Sequence, residues 1–256
     1  MPNSKNGFRP GLHLNINILR PSSVLSLTPL KIKGIVFDLD ATLIDLGEHV
    51  RWREAQGKVI EAYQACGCSE EMIASCNSRG LFNLMHEMET RLTATKSREE
   101  IDLLRERIWK LLDNYEDEGV RMCGFMPGTL ETLEWVKEQG IKMAVCTSNS
   151  GDVAKQILEK LEVSQFFQSV IGRTPGLLMK PHPDQVIACF KEIGVDPRDG
   201  VMVGDSHNDV LAGKTAGTRT IAVPVYFTNK SAMEAAKPDA TVKSMKELPE
   251  ALLGFK

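Results

Sequence analysis

Ile35-Val36-Phe37-Asp38-Leu39-Asp40-Ala41-Thr42-Leu43 is the stretch that decides how this chain is read. A short apolar run is followed by two carboxylates at spacing two, and a hydroxyl stands two residues further on. Such a run predicts a buried strand with both aspartates at its C-terminal end. In open α/β sheets that end is where ligands bind. Spacing of two points both carboxylates the same way, so they repel unless a cation or a shared proton compensates them. Alone, the pair points to chemistry with a metal ion.

Downstream the chain changes character. Residues 48–117 contain no proline and carry repeated helical spacing, most clearly at Ile101, Leu104, Ile108, Leu111, Leu112 and Tyr115. Leu81, Leu84, Met85 and Met88 trace a second stripe, and breaks at Gly67, Gly80 and Ser97 divide the stretch into about four helices. Strands and helices then alternate. Strands are expected at 141–147, 169–171, 201–203, 220–223 and 240–242, and helices at 129–139, 151–161, 183–193, 208–216 and 245–253. Alternation of this kind implies an α/β fold, a doubly wound, Rossmann-like parallel sheet covered on both faces. The core is assigned to residues 31–46 and 125–256, and 47–124 to an inserted all-helical cap domain with hinges near 46–47 and 124–127. Residues 1–30, with three basic residues and no acid, are expected to form a disordered extension.

With 256 residues, 42% hydrophobic and 25% charged, the chain has ordinary globular composition. A net charge of -3 gives no electrostatic footprint for nucleic acid or anionic lipid, and no apolar run is long enough for a membrane span. Cys66, Cys68, Cys76, Cys123, Cys146 and Cys189 lack the usual zinc spacing and are read as free thiols, with a cytoplasmic location expected.

Three further segments end strands as the first does. Thr147-Ser148-Asn149 lies between a strand and a helix, where free backbone N–H groups favour an anion such as phosphate; the same residues also suit a plain N-cap. Lys180 sits beside a turn stiffened by Pro181 and Pro183; alone it reads as a surface charge, and near carboxylates as a counter-charge for a phosphoryl oxygen. His182 is read as a turn residue. Gly204-Asp205 follows an apolar strand, and Asp209 stands four residues on. Hard oxygens of this kind suit Mg²⁺. Arg51 and Arg53 are read as solvated surface charges, and Trp52, Met85 and Met88 as packing within the helical insertion.

Taken in order, Asp38/Asp40/Thr42, Thr147, Lys180 and Asp205/Asp209 resemble the motifs of the haloacid dehalogenase superfamily. The helical insertion and Phe125-Met126-Pro127-Gly128 resemble its phosphoglycolate phosphatase and β-phosphoglucomutase subgroup. Where that subgroup commonly has glycine after the second aspartate, this chain has Ala41.

The resemblance implies that Asp38 is the nucleophile and Asp40 the general acid and then base. It implies Mg²⁺ held by the Asp38 carboxylate, the Asp40 backbone carbonyl and Asp205, with Asp209 either ligating through water or orienting Lys180. Thr147, Ser148, Asn149 and Lys180 would hold the phosphoryl oxygens. Asp40 favours phosphate over haloacid chemistry, because attack on carbon has no use for a leaving-group acid. The function implied is a Mg²⁺-dependent phosphatase acting on a small phosphorylated metabolite through an aspartyl-phosphate, with no nucleic-acid or membrane partner. A phosphomutase and a catalytically silent binding protein are the alternatives. The substrate, and the choice between monomer and homodimer, are left open by the sequence.

Overall fold

The computed structural model of the protein describes residues 31–76, 80–224 and 229–255. The expected N-terminal extension lies outside them. The central strand β1 (Gly34–Phe37) is completely buried, as its apolar run requires. It pairs in parallel with β2 (Lys142–Ser150) on one side and β4 (Gly200–Gly204) on the other. With β3 (Ser169–Arg173), β5 (Arg219–Ala222) and β6 (Ala240–Thr241) they form a six-stranded parallel sheet in the order β3-β2-β1-β4-β5-β6. The order reverses at β1, and a ligand crevice opens at such a switch point.

Among the described residues four α-helices separate β1 from the rest of the core: α1 (Trp52–Ala65), α2 (Glu70–Cys76), α3 (Leu81–Leu92) and α4 (Arg98–Val120). The three expected breaks stand where predicted. Gly67 and Gly80 have φ of +83° and +90°, and Ser97 caps α4 in a reciprocal box with Glu100. These helices have an apolar core of their own, including Leu84, Met85, Met88, Ile108 and Leu112, apart from the larger core beside the sheet. Trp52 and Tyr115 pack against both.

After the insertion come α5 (Thr129–Glu138), α6 (Gly151–Lys160), α7 (Asp184–Glu192), α8 (His207–Ala216), α9 (Lys230–Ala236) and α10 (Leu248–Gly254). Helix α9 is absent from the sequence reading: it is only seven residues long, and its signal is the Asn229 cap, whose side chain accepts from the Ala232 N–H. Strand β2 runs to Ser150 rather than stopping at 147, because its pairing with β3 slips between Cys146 and Ser150 and then resumes opposite Arg173. Gly172 permits that close approach, since a Cβ there would stand 2.2 Å from the Gly151 nitrogen.

The two connections between core and insertion are tied down where hinges were expected. Gly124 N–H donates to Asp45 Oδ1 (2.6 Å), and the Asp45 N–H donates to the Gly124 carbonyl (3.1 Å). Lys160 Nζ donates to the carbonyls of Val120, Arg121 and Cys123 at 2.8–3.0 Å. Among the described residues no helix is long and apolar enough to cross a membrane.

Candidate active site

The C-terminal ends of β1, β2 and β4 converge, and the segment after β3 reaches in beside them. Asp38 follows β1 directly, its N–H donating to the Val203 carbonyl on β4 (2.8 Å), so the backbone of two strands fixes its carboxylate. Lys180 enters from the β3–α7 connection. Its Nζ donates to Asp38 Oδ1 (2.5 Å), Asp209 Oδ1 (2.5 Å) and the Cys146 carbonyl (2.9 Å), using all three protons. This lysine is buried and not a surface charge. Asp209 faces it from the first turn of α8. Ser206 caps that helix, and the second Asp209 oxygen accepts from the Ser206 N–H (3.0 Å) and hydroxyl (2.5 Å). Gly204 makes room for this arrangement, because a Cβ there would lie 2.4 Å from Asp209 Cγ.

Asp38, Asp205 and Asp209 each offer an oxygen, all within 4.8 Å of one another. Three carboxylates facing one ammonium leave two negative charges uncompensated in a poorly solvated place. That imbalance, with hard oxygen donors only, fits a divalent cation such as Mg²⁺. The Asp40 carboxylate is not in this cluster, so the two carboxylates do not face one cation as their spacing of two suggested; the resemblance gave Asp40 a metal contact through its backbone carbonyl. Its side chain turns toward the insertion, where Oδ1 accepts from the Gly47 N–H (2.7 Å).

The titration behaviour follows from this packing. Burial pushes Asp38 up to about 6 against the opposing pull of Lys180, with the Asp209 charge adding to the rise. Burial also pushes Asp40 up to about 7, and the charges of Asp38 and Glu116 add to it while the Gly47 N–H opposes. Asp205 is raised well above the usual carboxylate range by burial and by Asp209 and Asp38. Burial disfavours the Lys180 ammonium, but Asp209 and Asp38 outweigh it and hold the group charged.

Carboxylates raised on folding stabilise the protein fully below about pH 4, and that stability is lost as pH rises through their folded values. Without divalent cations, the unfolding temperature is therefore expected to fall between pH 5 and pH 8. Mg²⁺ should raise it more at pH 8 than at pH 5. Thermal melts at both pH values check this, and an equal Mg²⁺ effect at the two would contradict the cluster's charge imbalance.

The hydroxyl and amide at the end of β2 are also brought in, with a difference. Thr147 Oγ1 donates to Asn149 Oδ1 (2.9 Å) and accepts from the Asn149 N–H (3.1 Å). Asn149 Nδ2 donates to Glu116 Oε1 (3.1 Å), so both ends of the Asn149 amide are engaged within the protein. Ser148 is half-buried and its carbonyl accepts from Arg173 Nη1 (3.0 Å). Thr42 is completely buried, and its hydroxyl has no hydrogen-bond partner among the described residues. Ala41 has φ of +61°, which explains why glycine suits this position; an L-residue there costs about 1–2 kcal/mol.

Other residues lie aside. Arg51 pairs with Glu118 and Glu54 and stacks on Tyr115, while Arg53 is exposed. His182 is half-buried in the turn after Lys180, with its Nδ1 2.9 Å from Asp184 Oδ1. Met85 and Met88 are buried in the helical insertion. Among the described residues no cysteine belongs to a group of three or more potential metal ligands, and all six cysteines are free thiols. Sequence reading missed Glu116 and Arg173. Glu116 did leave a signal, an acid four residues after Leu112 on the buried stripe of α4.

The sequence profile of haloacid dehalogenase-like hydrolases matches residues 35–223. Phosphoglycolate phosphatase of Escherichia coli (strain K12) is 27% identical over 239 residues, covering 86% of this chain and 92% of that protein. Pyrophosphatase PpaX of Bacillus mycoides is also 27% identical, covering 86% of this chain and 96% of that one. Among solved structures, CbbY from Rhodobacter sphaeroides in complex with phosphate superposes with a TM-score of 0.60 at 23% identity, over 88% of this chain and all of that one. The match spans every motif from the β1 aspartates to Asp209, and the parallel sheet carries them at its switch point. The chain belongs to the haloacid dehalogenase-like hydrolase family.

Proposed function

We propose that the protein is a Mg²⁺-dependent phosphatase that hydrolyses a small phosphomonoester through an aspartyl-phosphate on Asp38. The observation that carries this reading is the different setting of the two aspartates. Asp38 faces Lys180, Asp205 and Asp209, while Asp40, two residues on, is turned to the Gly47 N–H and pushed up to about 7. One carboxylate is set to attack and the other to carry a proton.

In the first half-reaction an Asp38 oxygen attacks phosphorus in line, and the bond from phosphorus to the ester oxygen breaks. Protonated Asp40 gives its proton to that oxygen, so the alcohol leaves neutral. In the second, ionised Asp40 takes a proton from water as that water attacks phosphorus, and the Asp38 carboxylate is released. Lys180 and the Thr147 hydroxyl hold the phosphoryl oxygens by exchanging an acceptor each, Lys180 releasing one of its three and Thr147 turning its proton from Asn149 Oδ1. Mg²⁺ on the Asp38 carboxylate, the Asp40 carbonyl and Asp205 would supply further neutralisation of phosphoryl charge.

The relatives act, by name, on phosphoglycolate and on pyrophosphate, and both are small phosphate compounds. A panel of 2-phosphoglycolate, sugar phosphates and pyrophosphate tests the reading. Phosphate release is expected with Mg²⁺, lost on chelation and restored by added Mg²⁺. Conversion of a sugar phosphate to its isomer without phosphate release would instead mark a mutase. Absence of both reactions across the panel would overturn the enzyme assignment.

A further inference from the structure

The helix that carries the insertion also reaches the phosphate-binding strand end. Glu116 lies on α4 and is completely buried. Its carboxylate accepts from four donors. Oε1 takes Asn149 Nδ2 (3.1 Å) and Arg173 Nη1 (2.6 Å), while Oε2 takes the Ser150 N–H (2.8 Å) and Arg173 Nη2 (3.0 Å). Arg173 closes the circuit, since Nη1 also donates to the Ser148 carbonyl (3.0 Å) and Nη2 to Asp113 Oδ1 (2.5 Å), one turn earlier on α4. Ser148, Asn149 and Ser150 are thus each held by this ion pair, and Asn149 in turn fixes Thr147 Oγ1.

A buried ion pair is a weak source of stability, because desolvation offsets most of the attraction. Its value lies in geometry. Here the pair sits where β2 loses register with β3, so the regular ladder that would otherwise fix the strand end is interrupted. The network replaces that ladder with side chains.

We propose that Glu116, clamped by Arg173, is a positioning residue that sets the phosphate-binding end of β2 through Asn149 and Ser150, and so links α4 to phosphate binding. The inference rests on the phosphatase reading for its chemistry, while its geometry is independent of which ester is used. Glu116 lies outside the acidic cluster and its hydrogen bonds run only to Asn149, Ser150 and Arg173; its charge also adds to the rise of Asp40, so phosphate binding rather than rate alone reads its positioning role. Displacement of a binding group by as little as an ångström costs on the order of a hundredfold in rate.

The test measures inorganic phosphate binding by calorimetry with Mg²⁺, together with kcat/KM, in the parent, Glu116→Gln, Asn149→Ala and the double variant. Glu116→Gln keeps the shape but loses the charge that gathers the four donors. Asn149→Ala keeps the ion pair and cuts the path to Thr147. Each single variant is expected to weaken phosphate binding on the order of tenfold. The double variant should be no weaker than the worse single, because both cut one path. Thermal melts run alongside, and both single variants should still unfold in one cooperative transition, so that the loss of binding is read on folded protein. A Glu116→Gln protein that binds phosphate within about twofold of the parent overturns the proposal, as do fully additive losses. A parent that neither binds nor releases phosphate overturns the phosphatase reading itself, and the positioning role falls with it.

Discussion

Replacing Asp38 by asparagine is expected to lower phosphate release on the order of 10⁴-fold or more, the loss typical of removing a nucleophile. The amide has the carboxylate's shape but no anionic oxygen, so no bond to phosphorus forms. The fold should tolerate the change. The Asp38 N–H still pairs with the Val203 carbonyl, and Lys180 keeps Asp209 and the Cys146 carbonyl. The lost group is one whose buried charge is disfavoured, so the unfolding temperature at pH 8 without Mg²⁺ should not drop. Rapid acid quench of the parent during turnover should show one phosphoryl group on the peptide carrying Asp38, and none in the variant. Undiminished release by Asp38→Asn would remove the nucleophile from the scheme.

Asp40→Asn should cost on the order of 10²- to 10⁴-fold with an alkyl phosphate, the usual contribution of a positioned acid–base group. With p-nitrophenyl phosphate the first half-reaction should suffer far less, because nitrophenolate leaves without a proton. A burst of nitrophenol followed by slow turnover is therefore expected from the variant, since the second half-reaction still lacks its base. The parent's pH dependence follows from the same residue. Burial raises Asp40 to about 7, so it is protonated below that value and ionised above it. When leaving-group departure limits the rate, activity should fall as pH rises through about 7. When hydrolysis of the aspartyl-phosphate limits it, activity should rise across the same range. An alkyl ester and a nitrophenyl ester compared over pH 5–9 should show these opposite slopes. Flat profiles for both would count against Asp40 as the proton carrier.

Much of this was legible because the family's chemistry is concentrated at strand ends. An apolar run followed by Asp38 and Asp40 is recognisable without tertiary information, since strand burial and side-chain alternation are local properties. The same holds for the four helices of the insertion, whose breaks at Gly67, Gly80 and Ser97 are set by backbone conformation and capping. Helix α9 escaped because it buries only Met233 and Ala236, so its signal is the Asn229 cap rather than a recurring apolar face. The end of β2 escaped because its pairing partner, Arg173, lies in another strand.

Lys180 and Glu116 mark the boundary most clearly. From the sequence Lys180 is a cation in a turn, and its worth depends on carboxylates 142 and 29 residues away. Glu116 is an acid on an amphipathic helix until Arg173 and Asn149 are packed against it. By itself the sequence determined the parallel core, the helical insertion and the order of the acidic and basic groups, because local periodicity and spacing encode them. Only the tertiary structure decided that Asp40 turns to Gly47 while Asp38 joins Asp205, Asp209 and Lys180, and that α4 holds the end of β2. Those relations are distances between groups remote in the chain, and only packing brings such groups into contact.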